Sequence, residues 1–155
     1  MNIQVKEAVM PQVKIHVLGK SESPTKMNIR AGKFKMIIDE PESMGGSNEG
    51  PSPVQMLLTA LAGCLNVTGH QVAKENNLDL EKMTISIDGN MNPCTFMGCS
   101  FKERAGFQSI KVVVKPIFSN FVSDEMVKLW LEETEARCPV TDNIKEGTQI
   151  LIDNN

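Results

Sequence analysis

The chain has 155 residues and a formal net charge of −3, and 41% of its residues are hydrophobic and 23% charged. This length and composition are typical of one globular domain, so we expect a single domain over residues 1–155. The small net charge, without a basic tract, argues against a nucleic-acid-binding protein. The most apolar stretch, from Val54 to Val67, is too short and too interrupted by polar residues to span a bilayer.

The N-terminal segment points to the compartment. Residues 1–17 alternate apolar and polar side chains and lack the long apolar core of a signal peptide. The sequence therefore favours a cytoplasmic protein, with neither nucleic acid nor membrane among its partners. In that compartment all four cysteines are expected to be reduced at rest, and any disulfide should be transient and catalytic.

The first region, up to about Asp39, is predicted to form strands. Apolar and polar residues alternate over residues 13–17, which indicates a first strand. Residues 27–30 and 34–39 are two further strand-like runs. Turn residues at 31–33 separate these runs and predict a hairpin.

A long helix is predicted from Pro53 to about Glu75. Residues 40–50 have the composition of a loop, Ser52 can cap the helix, and Pro53 can occupy its first position. Apolar side chains recur at helical spacing at Val54, Leu57, Leu58, Leu61, Leu65 and Val72. The first half is apolar on nearly every side, so we expect the helix to be buried in the centre of the fold.

The last region contains strands followed by a helix. Strands are predicted around residues 83–87 and 107–117, joined by a polar connection from Gly89 to Gly106. Ser123 is predicted to cap a second helix, with acidic residues at its positive end. Residues 148–152 have the alternation of a closing strand. Strands followed by helices in two blocks predict an α+β fold.

Two cysteines have candidate chemistry. Cys64 lies near the middle of the long helix, where the small residues before it let a backbone or a substrate approach the sulfur. On periodicity alone, it is a small hydrophobe in a core helix. Cys138 lies between Arg137 and Pro139 at the end of an element, and an adjacent guanidinium favours a thiolate. The alternative for Cys138 is a boundary cysteine without a role.

The other two cysteines, Cys94 and Cys99, lie in the polar connection. Their spacing is wider than that of a paired-cysteine zinc knuckle, and neither His16 nor His70 lies at knuckle spacing from them. The sequence therefore predicts no metal site here. A loop pair open to oxidation is the favoured interpretation.

Several motifs, taken in order, resemble those of the OsmC/Ohr family. They are Asp39-Glu40-Pro41, Gly45-Gly46, Gly50-Pro51-Ser52-Pro53, Leu57 to Leu65 with Ala62-Gly63-Cys64, Ala105-Gly106-Phe107 and Arg137-Cys138-Pro139-Val140. The resemblance covers roughly Arg30 to the C-terminus. It implies an α+β, OsmC-like fold, with strands wrapping a long buried central helix. It also implies an intertwined homodimer with active sites at the subunit interface.

The resemblance further implies a thiol-dependent reductase of hydroperoxides, often organic ones. Cys64 matches the cysteine that attacks the O–O bond, and Cys138 matches the cysteine that resolves the product to a disulfide. An external dithiol then reduces that disulfide. Arg30 matches by position the arginine that lowers the pKa of the first thiol. The implied partners are a second copy of the chain, the hydroperoxide and the dithiol, with no cofactor.

The sequence departs from the family at the start of the central helix. Peroxidases of the family usually carry a glutamate just after the helix-opening proline, where it braces the arginine. This chain has Gln55 instead, which can hydrogen-bond to Arg30 but carries no charge; Glu40 or Glu49 is a possible substitute. The departure leaves two alternatives open: thiol–disulfide or sulfur-transfer chemistry at the same cysteines, and non-enzymatic binding of a small molecule.

Overall fold

A computed structural model of the chain describes residues 10–154. Residues 1–9 and Asn155 lie outside the described residues. Part of the N-terminal segment that is predicted to lack a signal peptide is therefore among them. The chain divides into two compact units, one that ends at Pro53 and one that begins at Val54. No helix in the described part of the chain is long and apolar enough to cross a membrane. The single domain stays a prediction.

The first unit contains a three-stranded antiparallel sheet in the order β1 (Val17–Ser21), β2 (Met27–Ala31) and β3 (Phe34–Ile38). The predicted hairpin of residues 27–30 with 34–39 is confirmed, and Gly32 in its turn has a φ of +59°. The first predicted strand is wrong by several residues, because β1 begins only at Val17. Val17 already pairs with the last residue of β2, so the residues before it lack a partner strand within the described unit.

A buried carboxylate organises the loop after β3. Asp39 is fully buried and accepts hydrogen bonds from the N–H groups of Glu40 (2.9 Å), Ser47 (3.0 Å) and Glu49 (3.2 Å) and from the Ser47 hydroxyl (2.8 Å). Burial raises the pKa of Asp39, but the donors of Ser47, Glu49 and Thr25 outweigh burial and lower it to about 2. The carboxylate therefore stays charged and holds the loop.

The long helix α1 runs from Pro53 to Glu75, as predicted, and the chain leaves it through Asn77, which has a φ of +54°. Its buried residues lie on one face: Leu61, Leu65, Gly69, Val72 and Ala73. The burial expected for the first half is not found in the single chain, where Val54 is 37% and Leu57 41% exposed. Val67 in the second half is 69% exposed, so α1 keeps apolar side chains at the surface of the single chain.

The second unit adds a long hairpin, β4 (Leu80–Asn90) with β5 (Ser109–Phe118), and two further helices. Ser123 caps α2 (Asp124–Arg137) as predicted, and its Oγ accepts a hydrogen bond of 3.3 Å from Met126 N. The short helix α3 (Pro139–Asp142) continues into a π-helical turn over Asn143–Gly147. The closing strand predicted at 148–152 is wrong: this segment has no regular structure, since β4 and β5 pair with each other and leave it unpaired among the described strands.

One core of this unit forms where α2 crosses α1. Trp130 is buried, and its Nε1 donates a hydrogen bond of 2.8 Å to the carbonyl oxygen of Gly69. The indole meets Phe118 edge to face, with ring centroids 5.7 Å apart. Gly69 permits this approach, since a Cβ there would lie 2.9 Å from Met83 Cε and 3.1 Å from Trp130 Cζ2. The close crossing places the C-terminal end of α2 beside α1.

Candidate active site

Two sulfurs that are far apart in sequence meet in the second unit. Cys138 is fully buried and packs with Leu61 and Leu65, and the partly buried Cys64 packs against the same cluster. Both cysteines are free thiols, and each of the two sulfurs changes the pKa of the other. The structure therefore brings together the two cysteines that the sequence singled out.

The position of Cys138 follows from the break between two helices. Its backbone is extended, with φ −80° and ψ 111°, so that it ends α2 and precedes α3. Pro139 lacks an N–H group and therefore starts α3 without continuing α2. Cys138 Sγ accepts a hydrogen bond of 3.4 Å from the backbone N–H of Thr141. The sulfur is thus held inside the turn at the start of α3.

The surroundings of Cys138 favour its thiolate. Burial raises the pKa of Cys138, but hydrogen bonds from the Thr141 and Cys64 side chains and from the N–H groups of Thr141 and Val140 outweigh this effect. The pKa of Cys138 consequently lies below its ordinary value, because donors aimed at a sulfur stabilise its charged form.

The surroundings of Cys64 act in the opposite direction. Burial raises the pKa of Cys64, and the neighbouring Cys138 raises it further through its charge and its hydrogen bond. Only the Val140 N–H and the Thr68 hydroxyl favour the Cys64 thiolate. In the single chain the surroundings therefore lower the pKa of Cys138 and raise the pKa of Cys64, so that they favour a thiolate at Cys138 over one at Cys64.

Contrary to the sequence-based expectation, the guanidinium of Arg137 is not directed at the sulfur of the adjacent Cys138. Its Nη1 lies 2.6 Å from Glu75 Oε2 and 2.7 Å from Glu133 Oε1, and its Nη2 lies 3.1 Å from Glu75 Oε1. Two carboxylates thus engage the guanidinium on the outside of the helices. The charge on Cys138 is stabilised by hydroxyl, thiol and backbone donors instead.

The other predicted site residues are divided between the two units. Arg30 lies in β2 on an exposed position, and its Nε donates a hydrogen bond of 3.1 Å to Gly32 O. Glu49 pairs with Lys26 at 3.2 Å, and among the described residues of the first unit no carboxylate forms an ion pair with Arg30. Glu40 is partly buried in the loop held by Asp39. Gln55 lies in the first turn of α1, so its contact with Arg30 stays a prediction.

An apolar cleft of about 470 Å³ lies next to the sulfur cluster in the second unit. At its rim Glu135 and Lys145 form an ion pair of 2.9 Å. Thr134, which is 3% exposed, lines the cleft, and its hydroxyl is buried without a hydrogen-bond partner among the described residues. The apolar lining includes Leu61, Leu65, Met83, Ile110, Val112 and Trp130.

Sequence reasoning missed the hydroxyl groups near the site. Thr68 follows Cys64 by one helical turn, and Thr134 follows the buried Trp130 by one turn. This spacing places each threonine on the same helix face as its partner. A threonine on a buried helix face was therefore the only sequence feature that pointed to these hydroxyls. It does not show whether the hydroxyl donates a hydrogen bond to a sulfur or is simply part of the core.

Cys94 and Cys99 form a disulfide, with their Cα atoms 5.0 Å apart. The expectation that all four cysteines are reduced is wrong for this pair, because the loop holds the two residues close enough to bond. Within residues 10–154, no group of three or more His, Cys, Asp or Glu side chains is arranged to hold a metal ion.

Comparisons with known proteins identify the fold. The family described as OsmC-like protein matches residues 46–153. An OsmC-like protein from Mycoplasma pneumoniae superposes with a TM-score of 0.74 at 18% identity, over 87% of this chain and 89% of that chain. No curated protein is significantly similar in sequence. At this identity the likeness shows the fold, and the predicted α+β, OsmC-like architecture is confirmed.

Two further solved structures have names that mention organic hydroperoxides. An organic hydroperoxide resistance protein OsmC from Legionella pneumophila gives a TM-score of 0.64 at 14% identity, over 89% of this chain and 93% of that chain. An organic hydroperoxide resistance protein from Elizabethkingia anophelis, with thiocyanate bound, gives 0.63 at 15% identity, over 88% and 91%.

Proposed function

The chain belongs to the OsmC-like family, and we propose that it is a cysteine-based hydroperoxide reductase that works through Cys64 and Cys138. The observation that carries the proposal is that two free thiols, Cys64 and Cys138, lie in one apolar cluster. Two structurally similar proteins are described as organic hydroperoxide resistance proteins, which supports an organic hydroperoxide as the substrate class.

Burial and charge suggest a role for each sulfur. Cys64 is only partly buried, so it is the sulfur that a peroxide reaches, while Cys138 is fully buried. The Cys138 thiolate accepts the proton of Cys64 and acts as its general base. The N–H of Val140 and the hydroxyl of Thr68 then stabilise the new charge on Cys64.

The first step consumes the peroxide. The Cys64 thiolate attacks the terminal oxygen of ROOH, so that an S–O bond forms and the O–O bond breaks. The departing alkoxide takes the proton held by Cys138 and leaves as the alcohol ROH. Cys64 is oxidised to a sulfenic acid, and Cys138 becomes a thiolate again.

The second step forms a disulfide. The Cys138 thiolate attacks the Cys64 sulfur, the S–O bond breaks, and hydroxide leaves and becomes water. An external dithiol then reduces the Cys64–Cys138 disulfide by exchange and is itself oxidised. Because both cysteines pack in one cluster, this step requires only a local movement that brings the sulfurs to bonding distance.

Arg30 and a second copy of the chain complete the proposal. Arg30 supplies the positive charge that favours a thiolate at Cys64, and Gln55 orients its guanidinium. Val54, Leu57 and Val67 leave apolar surface exposed on α1, and a large exposed apolar surface marks an association site. We assign that surface to homodimer formation. Arg30→Gln should raise the pKa of Cys64 in the dimer. Lys35 is the cross-strand neighbour of Arg30, and the control Lys35→Gln should leave the pKa of Cys64 unchanged.

The main test measures dithiol-dependent consumption of tert-butyl hydroperoxide in a Cys94→Ser/Cys99→Ser background, which removes the loop disulfide. Cys64→Ser should abolish turnover. Cys138→Ser should stop after one oxidation and accumulate a sulfenic acid at Cys64, which dimedone traps for mass spectrometry. If Cys64→Ser consumes peroxide as fast as its parent, the proposal fails.

A second candidate function is the binding of a small apolar molecule without chemistry. The cleft and the unpartnered Thr134 hydroxyl favour it, because such a cleft can bury an apolar body while one polar group meets Thr134. The neutral probe N-phenyl-1-naphthylamine should bind with enhanced fluorescence. Thr134→Val should weaken binding, and Thr84→Val on the exposed face of β4 should leave it unchanged. Equal binding by both variants would exclude a role for the hydroxyl.

A further inference from the structure

The disulfide between Cys94 and Cys99 lies in the long connection between β4 and β5, outside the Cys64–Cys138 cluster. The connection leaves β4 at Asn90, three positions after Ile87, which packs on that cluster. The proposed peroxidase cycle does not use this second pair of sulfurs. The proposed peroxidase cycle therefore does not account for the Cys94–Cys99 disulfide.

Hydrogen bonds other than the disulfide shape this loop. The N–H of Met97 donates to Pro93 O at 2.9 Å, and the N–H of Cys99 donates to Cys94 O at 2.9 Å. The Thr95 hydroxyl lies 3.0 Å from Ser100 O and 2.8 Å from Glu103 O. These hydrogen bonds do not use the atoms of the S–S bond, so they constrain the loop independently of it.

The two sulfurs differ in exposure. Cys99 is exposed and Cys94 is half-buried, so an external thiolate reaches Cys99 first. Cys99 Sγ also lies 3.3 Å from Cys94 O, which gives a reduced Cys99 thiol an acceptor already in place. The loop therefore accommodates both the disulfide and the dithiol.

We infer that Cys94 and Cys99 form a second, reversible thiol–disulfide exchange site, whose co-substrate is a dithiol. A thiolate of the external dithiol attacks Cys99 Sγ, the Cys94–Cys99 bond breaks, and Cys94 leaves as a thiolate that takes up a proton. The mixed disulfide joins Cys99 to the first sulfur of the reductant. The second thiol of the reductant attacks that first sulfur and releases Cys99 as a thiol. Two protein thiols form, and the external dithiol becomes a disulfide.

This site operates without Cys64 and Cys138, so its test is independent of the proposed peroxidase. The Cys64→Ser/Cys138→Ser protein is equilibrated with graded ratios of reduced and oxidised dithiothreitol, quenched in acid and alkylated. Mass spectrometry then measures the oxidised fraction of the peptide that carries both loop cysteines. We expect one two-electron transition, identical from the reduced and the oxidised side and independent of protein concentration, with an unchanged far-UV circular dichroism spectrum.

Two variants sharpen the test. Thr95→Val removes both hydroxyl bonds and should shift the equilibrium toward the dithiol by about tenfold, because the loop then holds the sulfurs together less well. Cys99→Ser should leave Cys94 unable to form the intramolecular bond. A disulfide that the dithiol reduces only with loss of the folded spectrum, thiols that never pair, or an unchanged equilibrium in Thr95→Val would overturn the inference.

Discussion

The guanidinium of Arg137 and the carboxylate of Glu75 form a two-point ion pair that joins the C-terminal ends of α2 and α1. The two contacts are 2.6 Å and 3.1 Å long, and Arg137 lowers the pKa of Glu75 to about 2. Cys138 directly follows Arg137, whereas Cys64 lies on the helix that Glu75 ends. The ion pair therefore helps to set the separation of the two sulfurs.

Breaking this ion pair should slow the closure of the Cys64–Cys138 disulfide. Arg137→Gln loses both contacts, and we expect disulfide formation after one equivalent of peroxide to slow by about threefold to tenfold. Quenched-flow alkylation measures the rate. Lys128→Gln, which removes the exposed Lys128–Glu132 pair of 3.8 Å, is the control. Equal rates in the two variants would show that the ion pair does not position the sulfurs.

Removing either sulfur should change the pKa of the other in a defined direction. Cys138 raises the pKa of Cys64, so Cys138→Ala should lower it. Cys64 donates a hydrogen bond to Cys138 and lowers its pKa, so Cys64→Ala should raise it. Alkylation rates as a function of pH measure both values. A rise in the Cys64 pKa in Cys138→Ala would contradict the conclusion that Cys138 raises the pKa of Cys64.

The indole hydrogen bond in the helix crossing should contribute measurably to stability. Trp130→Phe keeps an aromatic ring but leaves the carbonyl of Gly69 without its 2.8 Å donor. We expect the free energy of unfolding to fall by about 1–3 kcal/mol, because a buried hydrogen bond and part of the packing are lost. Urea denaturation measures this change. A decrease of the same size in the exposed control Phe121→Leu would show that the hydrogen bond has no special role.

Acid should destabilise the loop that Asp39 organises. The pKa of Asp39 is lowered to about 2 from 3.8, so its contribution is complete above the unfolded value and is lost as the pH falls from about 4 through 2. Asp39→Asn should lower stability at pH 7 and flatten the pH dependence in this window. Urea titrations between pH 2 and 7 test this, with Glu42→Gln in the exposed turn as the control.

Thr134 should be a site where an apolar substitution stabilises the protein. Its hydroxyl is buried without a partner in the described part of the chain, and valine has nearly the same shape. Thr134→Val should raise the free energy of unfolding by about 1 kcal/mol, since the cost of burying an unpaired hydroxyl disappears. Thr84→Val is the exposed control. A loss of stability in Thr134→Val would indicate an unseen partner for the hydroxyl.

Local patterns predicted most of the elements. The apolar spacing and Pro53 located α1, the turn at 31–33 located a hairpin, and Ser123 marked the start of α2, all as the structure has them. The errors fall where a strand needs a partner. Residues 13–16 and 148–152 alternate like strands but pair with no described strand, because alternation reports only a preference and pairing depends on distant segments.

By itself, the sequence determined α1, α2, the first hairpin and the family, and it nominated the two cysteines of the candidate site, because these depend on residue order and short-range periodicity. Only the tertiary structure decided that Cys138 packs in one cluster with Cys64, that nearby donors lower the pKa of Cys138, that Arg137 turns to Glu75, and that Cys94 bonds to Cys99. The reason is physical. The energy of a buried charge depends on the few donors within hydrogen-bonding distance, and folding brings those donors together from different segments of the chain.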